Sequence, residues 1–444
     1  MNILFLTQII PYPLDAGPKI KTWHVLKHLA GQGHHILLAS FVRPDEIKAV
    51  EGVRQICDEV NTVPIRRSRV NDVFYWLRSN VTGRPFLIER DDIVAMRTLV
   101  NQLLSTKQIN CIHADQLTMT QFALPSNASP SRHNALAADP KVQSADGHRP
   151  FCIFDAHNAV WTIFERLRQT SPWFTQPILA AEARRIKRYE GMVTHSFDHI
   201  LTVTESDRQS LIQAYQYYLS GSNEGVNVKV TDSGLPMTVI PIAIDTEQLQ
   251  PVKRRSESLN ILTLGTLQYP PNADGIRWFI HEVYPLVREQ VPQATLTIVG
   301  KNPPQDFVQL AANSQDAITV TGYVPDLKPY LEQANQVVVP VRVGSGMRVR
   351  ILEAFAQAMP VVTTTIGLEG IEASPDEDVL VADTPADCAA RVVKVLADEA
   401  LQNRLSMNGR RLVEKCYDWR AVLQKLDSIY EGIHIGNQER KSLS

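Results

Sequence analysis

The chain has 444 residues, 45 basic against 47 acidic, a formal net charge of -2 and a hydrophobic content of 44%. At about 100 to 200 residues per domain this length implies two or three domains with sizeable cores, and the balanced charge excludes a surface built to coat nucleic acid. Cys57, Cys111, Cys152, Cys388 and Cys416 are odd in number, scattered and without CxxC spacing, which argues against a disulfide frame or a zinc site and for a reducing cytoplasm.

The opening MNILFLTQII lacks a basic flank and runs into PYP, so NILFL (2–6) reads as a buried strand rather than a secretory leader. A helix from about Lys19 to Gly31 follows, then strands HILLAS (35–40), NCIHA (110–114), FCIFDA (151–156) and HILTVT (199–204). The stretch IPIAIDTEQLQPVKRRSESLN reads as a linker. After it come NILTLG (260–265), ATLTIVG (294–300), AITVTGYV (317–324), QVVVPV (336–341) and MPVVTTT (359–365), again alternating with helical stretches.

This rhythm predicts an α/β chain of two doubly wound parallel-sheet domains, with a cleft between them and ligands at the carboxyl ends of the strands. The expected division is 1–248, 249–415, and a C-terminal helix and tail at 416–444 that can pack back on the N-terminal domain. The polar, turn-rich stretches 125–150 and 220–236 read as surface insertions. No run approaches the length of a membrane span.

Chemistry concentrates at three strand ends. In GPKIKTW, Gly17 lies between the first strand and its helix, where a close backbone approach to a phosphate needs a residue without Cβ; the simpler reading is a turn. In FDAHNAVW, a strand delivers Asp155, His157 and Asn158 to its carboxyl end, where His157 either donates a hydrogen bond to a substrate oxygen or caps the following helix with Asn158. His113 and Asp115 in CIHADQ hold a similar but weaker position.

The third strand end is RVGSGMRVRILEAFAQAMPVV. Gly344 and Gly346 allow close approach, a helix beginning near Met347 points its N–H groups at a phosphate, and Arg342, Arg348 and Arg350 add charge. Glu353, in an otherwise apolar helical run, then reaches a sugar hydroxyl. The alternative is an internal Arg350–Glu353 pair, with the glycines serving only the turn.

Two charged stretches remain. IRRSRVNDVFYWLRSN (65–80) suits an interfacial membrane helix or an acceptor platform, against the simpler expectation that its aromatics pack on the first domain. EARRIKRYEG (182–191) reads as a solvated helix face.

The chain also resembles a known family over nearly its whole length. PYPLDAGPKIK, DAHN, LTVTESDR, GTLQYPPNADGIRWFIHEVYPLVREQVPQATLTIVGKNPP and TGYVPDLKPYLEQANQVVVPVRVGSGMRVRILEAFAQAMPVVTTTIGLEGI occur in the order found in the family 4 glycosyltransferases of the GT-B fold, sugar transferases of the glycosyl transferases group 1 type. The resemblance implies two Rossmann-like domains and a retaining transfer of a sugar from a nucleotide diphosphate donor to an acceptor hydroxyl, without a metal or cofactor, in polysaccharide or glycoconjugate assembly.

On that basis His157 and Arg348 are the catalytic pair. Gly17, Arg342, Gly344, Ser345, Gly346, Met347, Arg348, Arg350 and Glu353 hold the donor, with its diphosphate on the Met347 helix start and its ribose on Glu353. The expected partners are the nucleotide sugar and an acceptor of unspecified kind, with no nucleic acid. The expected location is cytoplasmic, with membrane contact through 65–80 at the inner face as an option. A sugar-nucleotide epimerase of the same architecture and a non-catalytic sugar-nucleotide-binding protein are the competing classes.

The pattern departs from the family at three places. Ser345 stands where a glutamate is usual, Thr266 and Asn272 stand where a basic pair is usual, and Ala358 replaces a helix-ending glycine. An alanine forced into a left-handed cap costs on the order of 1 kcal/mol, so a different helix ending is expected.

Overall fold

The computed structural model describes residues 1–124, 144, 145, 147–221, 234–255, 257–313, 317–344 and 346–442. Most of the two expected insertions, and Ser345, lie outside the described residues. The chain forms two units, Met1–Pro241 with Leu423–Ser444, and Ile242–Val422.

In the first unit the strands are β1 (Asn2–Thr7), β2 (His35–Val42), β3 (Glu59–Pro64), β4 (Cys111–Asp115), β5 (Phe151–Ala156), β6 (His199–Thr202) and β7 (Met237–Val239). Among the described residues they make one sheet of order β3-β2-β1-β4-β5-β6-β7, parallel at each pairing. The inner strands are nearly continuous apolar runs because helices cover both faces. Leu4, Leu6, Ile112, Phe154 and Ile200 lie in their common core.

In the second unit β8 (Asn260–Leu264), β9 (Thr295–Val299), β10 (Ile318–Gly322), β11 (Gln336–Val339), β12 (Val361–Thr363) and β13 (Leu380–Val381) follow the order β10-β9-β8-β11-β12-β13. These pairings are parallel too. Each sheet reverses its winding once, between β1 and β4 and between β8 and β11, and the carboxyl ends of strands at such a reversal are where doubly wound folds bind ligands.

Six helices bear on function: α1 (Gly17–Gly31), α2 (Arg69–Thr82), α3 (Val160–Thr170), α4 (Gln176–Ser196), α5 (Pro270–Trp278) and α6 (Val349–Ala356). Gly275 lets α5 lie against the end of β11, since a Cβ there would fall 1.8 Å from the Pro340 carbonyl oxygen. A last helix, Gln424–Ser442, belongs to the first unit, where His28 Nε2 meets Asp427 Oδ1 at 2.7 Å and His113 Nδ1 meets the Tyr430 hydroxyl at 2.7 Å.

Several expectations are corrected. The linker is not loose along its whole length: Ile244 N donates to Tyr417 O at 2.9 Å, and Arg410 donates to the Thr246 and Leu249 carbonyls, so this stretch is bonded into the second unit. The helix after the glycine loop begins at Val349, two residues beyond Met347. The 182–191 stretch is not a solvated face, because Glu182, Ala183, Ile186, Tyr189 and Glu190 on it are buried. Of the aromatics of 65–80, Phe74 and Trp76 do not bury on the domain, being 60% and 41% exposed, while Tyr75 is half-buried; Ser79 alone in α2 is buried.

Ala358 overturns the expected helix ending. It does adopt a left-handed backbone, φ 54°, with Met359 N donating to Ala354 O and Ala358 N to Phe355 O, the paired bonds of a glycine-type ending.

Candidate active site

Parallel register aligns Thr7 of β1 with Asp115 of β4, and Asp115 with Asp155 of β5, so one polar row crosses the carboxyl edge of the first sheet at its point of reversal. His157 follows two residues after Asp155. Its Nε2 lies 2.6 Å from Asp115 Oδ1, while Asp115 Oδ2 accepts from Thr7 Oγ1 at 2.7 Å and Thr22 Oγ1 at 3.0 Å. Lys21, on α1 beside Thr22, pairs with Asp155 Oδ1, and His113 Nε2 faces Asp155 Oδ2 at 3.3 Å. Phe5, paired in register with His113, stacks against its ring with centroids 4.3 Å apart.

These contacts set the electrostatics. Burial alone would raise the Asp155 carboxyl, but the Lys21 ammonium, with His113 and His157 nearby, holds it well below the usual carboxylate range. Burial likewise pushes the Tyr430 hydroxyl well up, which keeps it a neutral partner for His113. Asp115, Asp155 and His157 present ligand atoms within 4.8 Å of one another, the donor set of a divalent cation. Each of the four carboxylate oxygens already faces a protein group, so a cation would have to displace a buried lysine or hydroxyl.

With Nε2–H turned toward Asp115, the neutral imidazole presents Nδ1 as an acceptor. That nitrogen is buried and has no hydrogen-bond partner among the described residues. The expected donor role for His157 therefore holds only for the imidazolium; the neutral ring offers Nδ1 as an acceptor. Asn158 is not what caps α3: Glu190 does so, accepting from Val160 N at 2.7 Å and Trp161 N at 3.2 Å.

Gly17 opens α1, four residues before Lys21, so both its neighbours in sequence and this polar row lie at the same strand end. Sequence reading missed Lys21, Thr22, Thr7 and Tyr430. Lys21 did leave a trace, since it falls in helical phase with Val25 and Leu29, both in the core.

In the second unit, the loop after β11 carries Arg342, Gly344, Gly346 and Met347 to the start of α6. Gly344 (φ 128°) and Gly346 (φ 84°) adopt backbone that favours glycine. A Cβ on Gly344 would sit 3.0 Å from Arg348 Nη2, so the guanidinium lies across that glycine, and its Nη1 donates to Gly346 O at 3.0 Å. Arg342 Nε donates to Asp274 Oδ2 of α5 at 3.2 Å, with its guanidinium over the Trp278 ring. Arg350 Nη1 donates to Glu353 Oε2 at 2.6 Å. The internal pair is thus formed, and Glu353 is half-buried rather than buried, with 16% of its side chain exposed.

The fold is GT-B, two Rossmann-like parallel-sheet α/β domains. In its second unit, residues 258–398 match the family described as Glycosyl transferases group 1. Over 96% of its length the chain is 24% identical to an uncharacterized 44.6 kDa protein in the cps region of Klebsiella pneumoniae, 98% of which is covered. Among solved structures it is similar to sucrose-phosphate synthase from Thermosynechococcus elongatus, with a TM-score of 0.67, 16% identity, and 98% of this chain and 100% of that one covered. It is also similar to Anabaena HepE in complex with UDP-glucose, with a TM-score of 0.62, 12% identity and coverage of 97% and 100%.

Proposed function

We propose that this protein is a retaining, metal-independent glycosyltransferase that moves a sugar from a nucleotide diphosphate donor to an acceptor hydroxyl in the assembly of a polysaccharide or other glycoconjugate. The observation that carries this reading is His157: one ring nitrogen is fixed by Asp115, and the other is buried without a protein partner at a ligand-binding strand end. An unmet buried acceptor is costly, and a sugar hydroxyl satisfies it. The family resemblance assigns the transferred sugar to the same residue.

The second unit supplies the donor's nucleotide site in this reading. The glycine backbone and the N–H groups opening α6 take the diphosphate, Arg348 and Arg342 offset the charge that grows on it as the glycosidic bond breaks, and Glu353 accepts from the ribose. Asp115 and Asp155 are committed to protein donors, so neither is a free nucleophile. The acceptor oxygen bonds the anomeric carbon on the face from which the diphosphate departs, its proton passing to the departing phosphate oxygen, and configuration is retained. The similarity to HepE, solved in complex with UDP-glucose, supports a nucleotide sugar as donor.

A thermal-shift screen against nucleotide sugars tests the reading, since a ligand that binds the folded state raises its melting temperature by mass action. The expected result is a shift with one nucleotide sugar and transfer with retained anomeric configuration. No shift with any donor would overturn it, and acceptor-free conversion to an epimerised sugar nucleotide would assign the protein to the epimerases.

A further inference from the structure

The helix α2 is inside out. At 100° per residue, Val70, Val73, Phe74, Leu77 and Val81 fall within an arc of about 100°, and Ser79 lies about 180° from its centre. Ser79 is the buried residue, whereas Val70 is 78% exposed, Val73 60%, Leu77 54% and Val81 88%. The apolar stripe therefore faces solvent, and the polar side holds the helix to its domain: Ser79 Oγ donates to Arg84 O at 2.7 Å, and Arg78 pairs with buried Glu89. A stripe of this size rivals the largest apolar patch of a typical monomer, roughly 300–600 Å².

Charge identifies what covers it. Arg66 and Arg69, just before and at the start of the helix, are exposed and make no hydrogen bond or ion pair among the described residues. The one acidic residue of α2, Asp72, lies near the inward side at about 200° on the same wheel. Asp72 also lines a cavity of about 310 Å³ at the ends of β1 to β3, whose other charged residues are Arg43, Glu46, Arg67 and Arg90, the last two paired with buried Asp91. An apolar stripe flanked by unneutralised arginines, with no carboxylate on its outward side, fits the boundary between anionic head groups and acyl chains.

We propose that the first unit docks on an anionic lipid bilayer through α2, inserting the stripe and setting Arg66 and Arg69 among the lipid phosphates. If the transfer reading above holds, on which this consequence rests, the acceptor is an amphiphile presented at the bilayer, with its polar head at the polar cavity that Asp72 of this helix lines.

Flotation with phosphatidylcholine vesicles, with and without phosphatidylglycerol, tests the docking directly and needs neither donor nor acceptor, so its failure is distinct from a failure of glycosyl transfer. The folded protein is expected to float with phosphatidylglycerol vesicles and to be released by high salt. Val73→Ser with Leu77→Ser should weaken partition at least tenfold, and Arg66→Ser with Arg69→Ser about fivefold per arginine on anionic vesicles only. All four side chains are solvent-exposed, so unchanged melting temperatures are expected and keep the comparison valid. Absence of partition by the folded wild type overturns the proposal. So does a concentration-dependent dimer that the Val73 and Leu77 substitutions abolish, which would make a second copy the cover.

Discussion

His157 Nε2 and Asp115 Oδ1 lie 2.6 Å apart, and the same carboxylate is held from behind by Thr7 and Thr22. The dyad is thus fixed by a strand and a helix at once, leaving the other ring nitrogen aimed away from protein donors. In the proposed transfer Asp115 acts through His157, as a positioning residue.

Replacing Asp115 with Asn keeps the shape but lets the amide donate to Nε2, which moves the ring proton to Nδ1 and reverses the polarity offered to substrate. Transfer should fall on the order of 100-fold, with the affinity for free nucleoside diphosphate within about twofold of wild type. Steady-state kcat, its pH profile and a nucleotide titration check this. An unchanged kcat rejects the positioning role, and a parallel loss of nucleotide affinity assigns Asp115 to the fold instead.

For Glu353 the ion pair with Arg350 and the proposed ribose contact make different demands. A half-exposed pair contributes at most about 1 kcal/mol, so Glu353→Ala should leave the melting temperature nearly unchanged. If the carboxylate also accepts from the ribose, Glu353→Ala should raise the nucleotide dissociation constant about tenfold, more than Arg350→Ala does. Equal effects from the two substitutions, measured by calorimetry, would reduce Glu353 to a partner of Arg350.

Ala358 offers a stability test free of function. Its left-handed backbone strains a Cβ and not a glycine, and its side chain is only half-buried. Ala358→Gly should therefore stabilise the second unit by about 1 kcal/mol, read as a higher denaturation midpoint at unchanged slope. A loss of stability would mean that the alanine methyl packs better than its backbone suffers.

The contrast between these residues marks what was legible in the chain. Strand ends, the glycine loop and His157 announce themselves because apolar alternation and glycine spacing are local signals. Asp115 ranked low because its importance comes from register: Thr7 and Asp115 are 108 positions apart and meet only when β1 pairs with β4. Lys21 hid in a helix whose periodicity was otherwise apolar. The helix α2 was misread for a different reason, since periodicity reveals that a helix has an apolar stripe but not which way the stripe faces. The glycine-type ending at Ala358 was discounted on a cost of about 1 kcal/mol, which the bonds closing the helix outweigh.

Glu190 makes stability depend on pH. It is fully buried at the start of α3, and burial pushes its carboxyl up to about 8, against the two backbone N–H groups that favour its ionised form and with the charge of Asp207 adding to the rise. The folded state therefore binds a proton that the unfolded chain, titrating near 4.5, releases. Stabilisation from this group is complete below pH 4.5 and is lost as pH rises through about 8. The full span corresponds to a loss on the order of 5 kcal/mol in the first unit. Glu190→Gln removes the titration while keeping one oxygen to accept from Val160. Urea unfolding at acidic, neutral and alkaline pH should show a falling midpoint for wild type and a flatter profile for the variant. Identical profiles would mean that the two N–H groups keep Glu190 ionised throughout, and that the helix cap rather than burial governs this carboxyl.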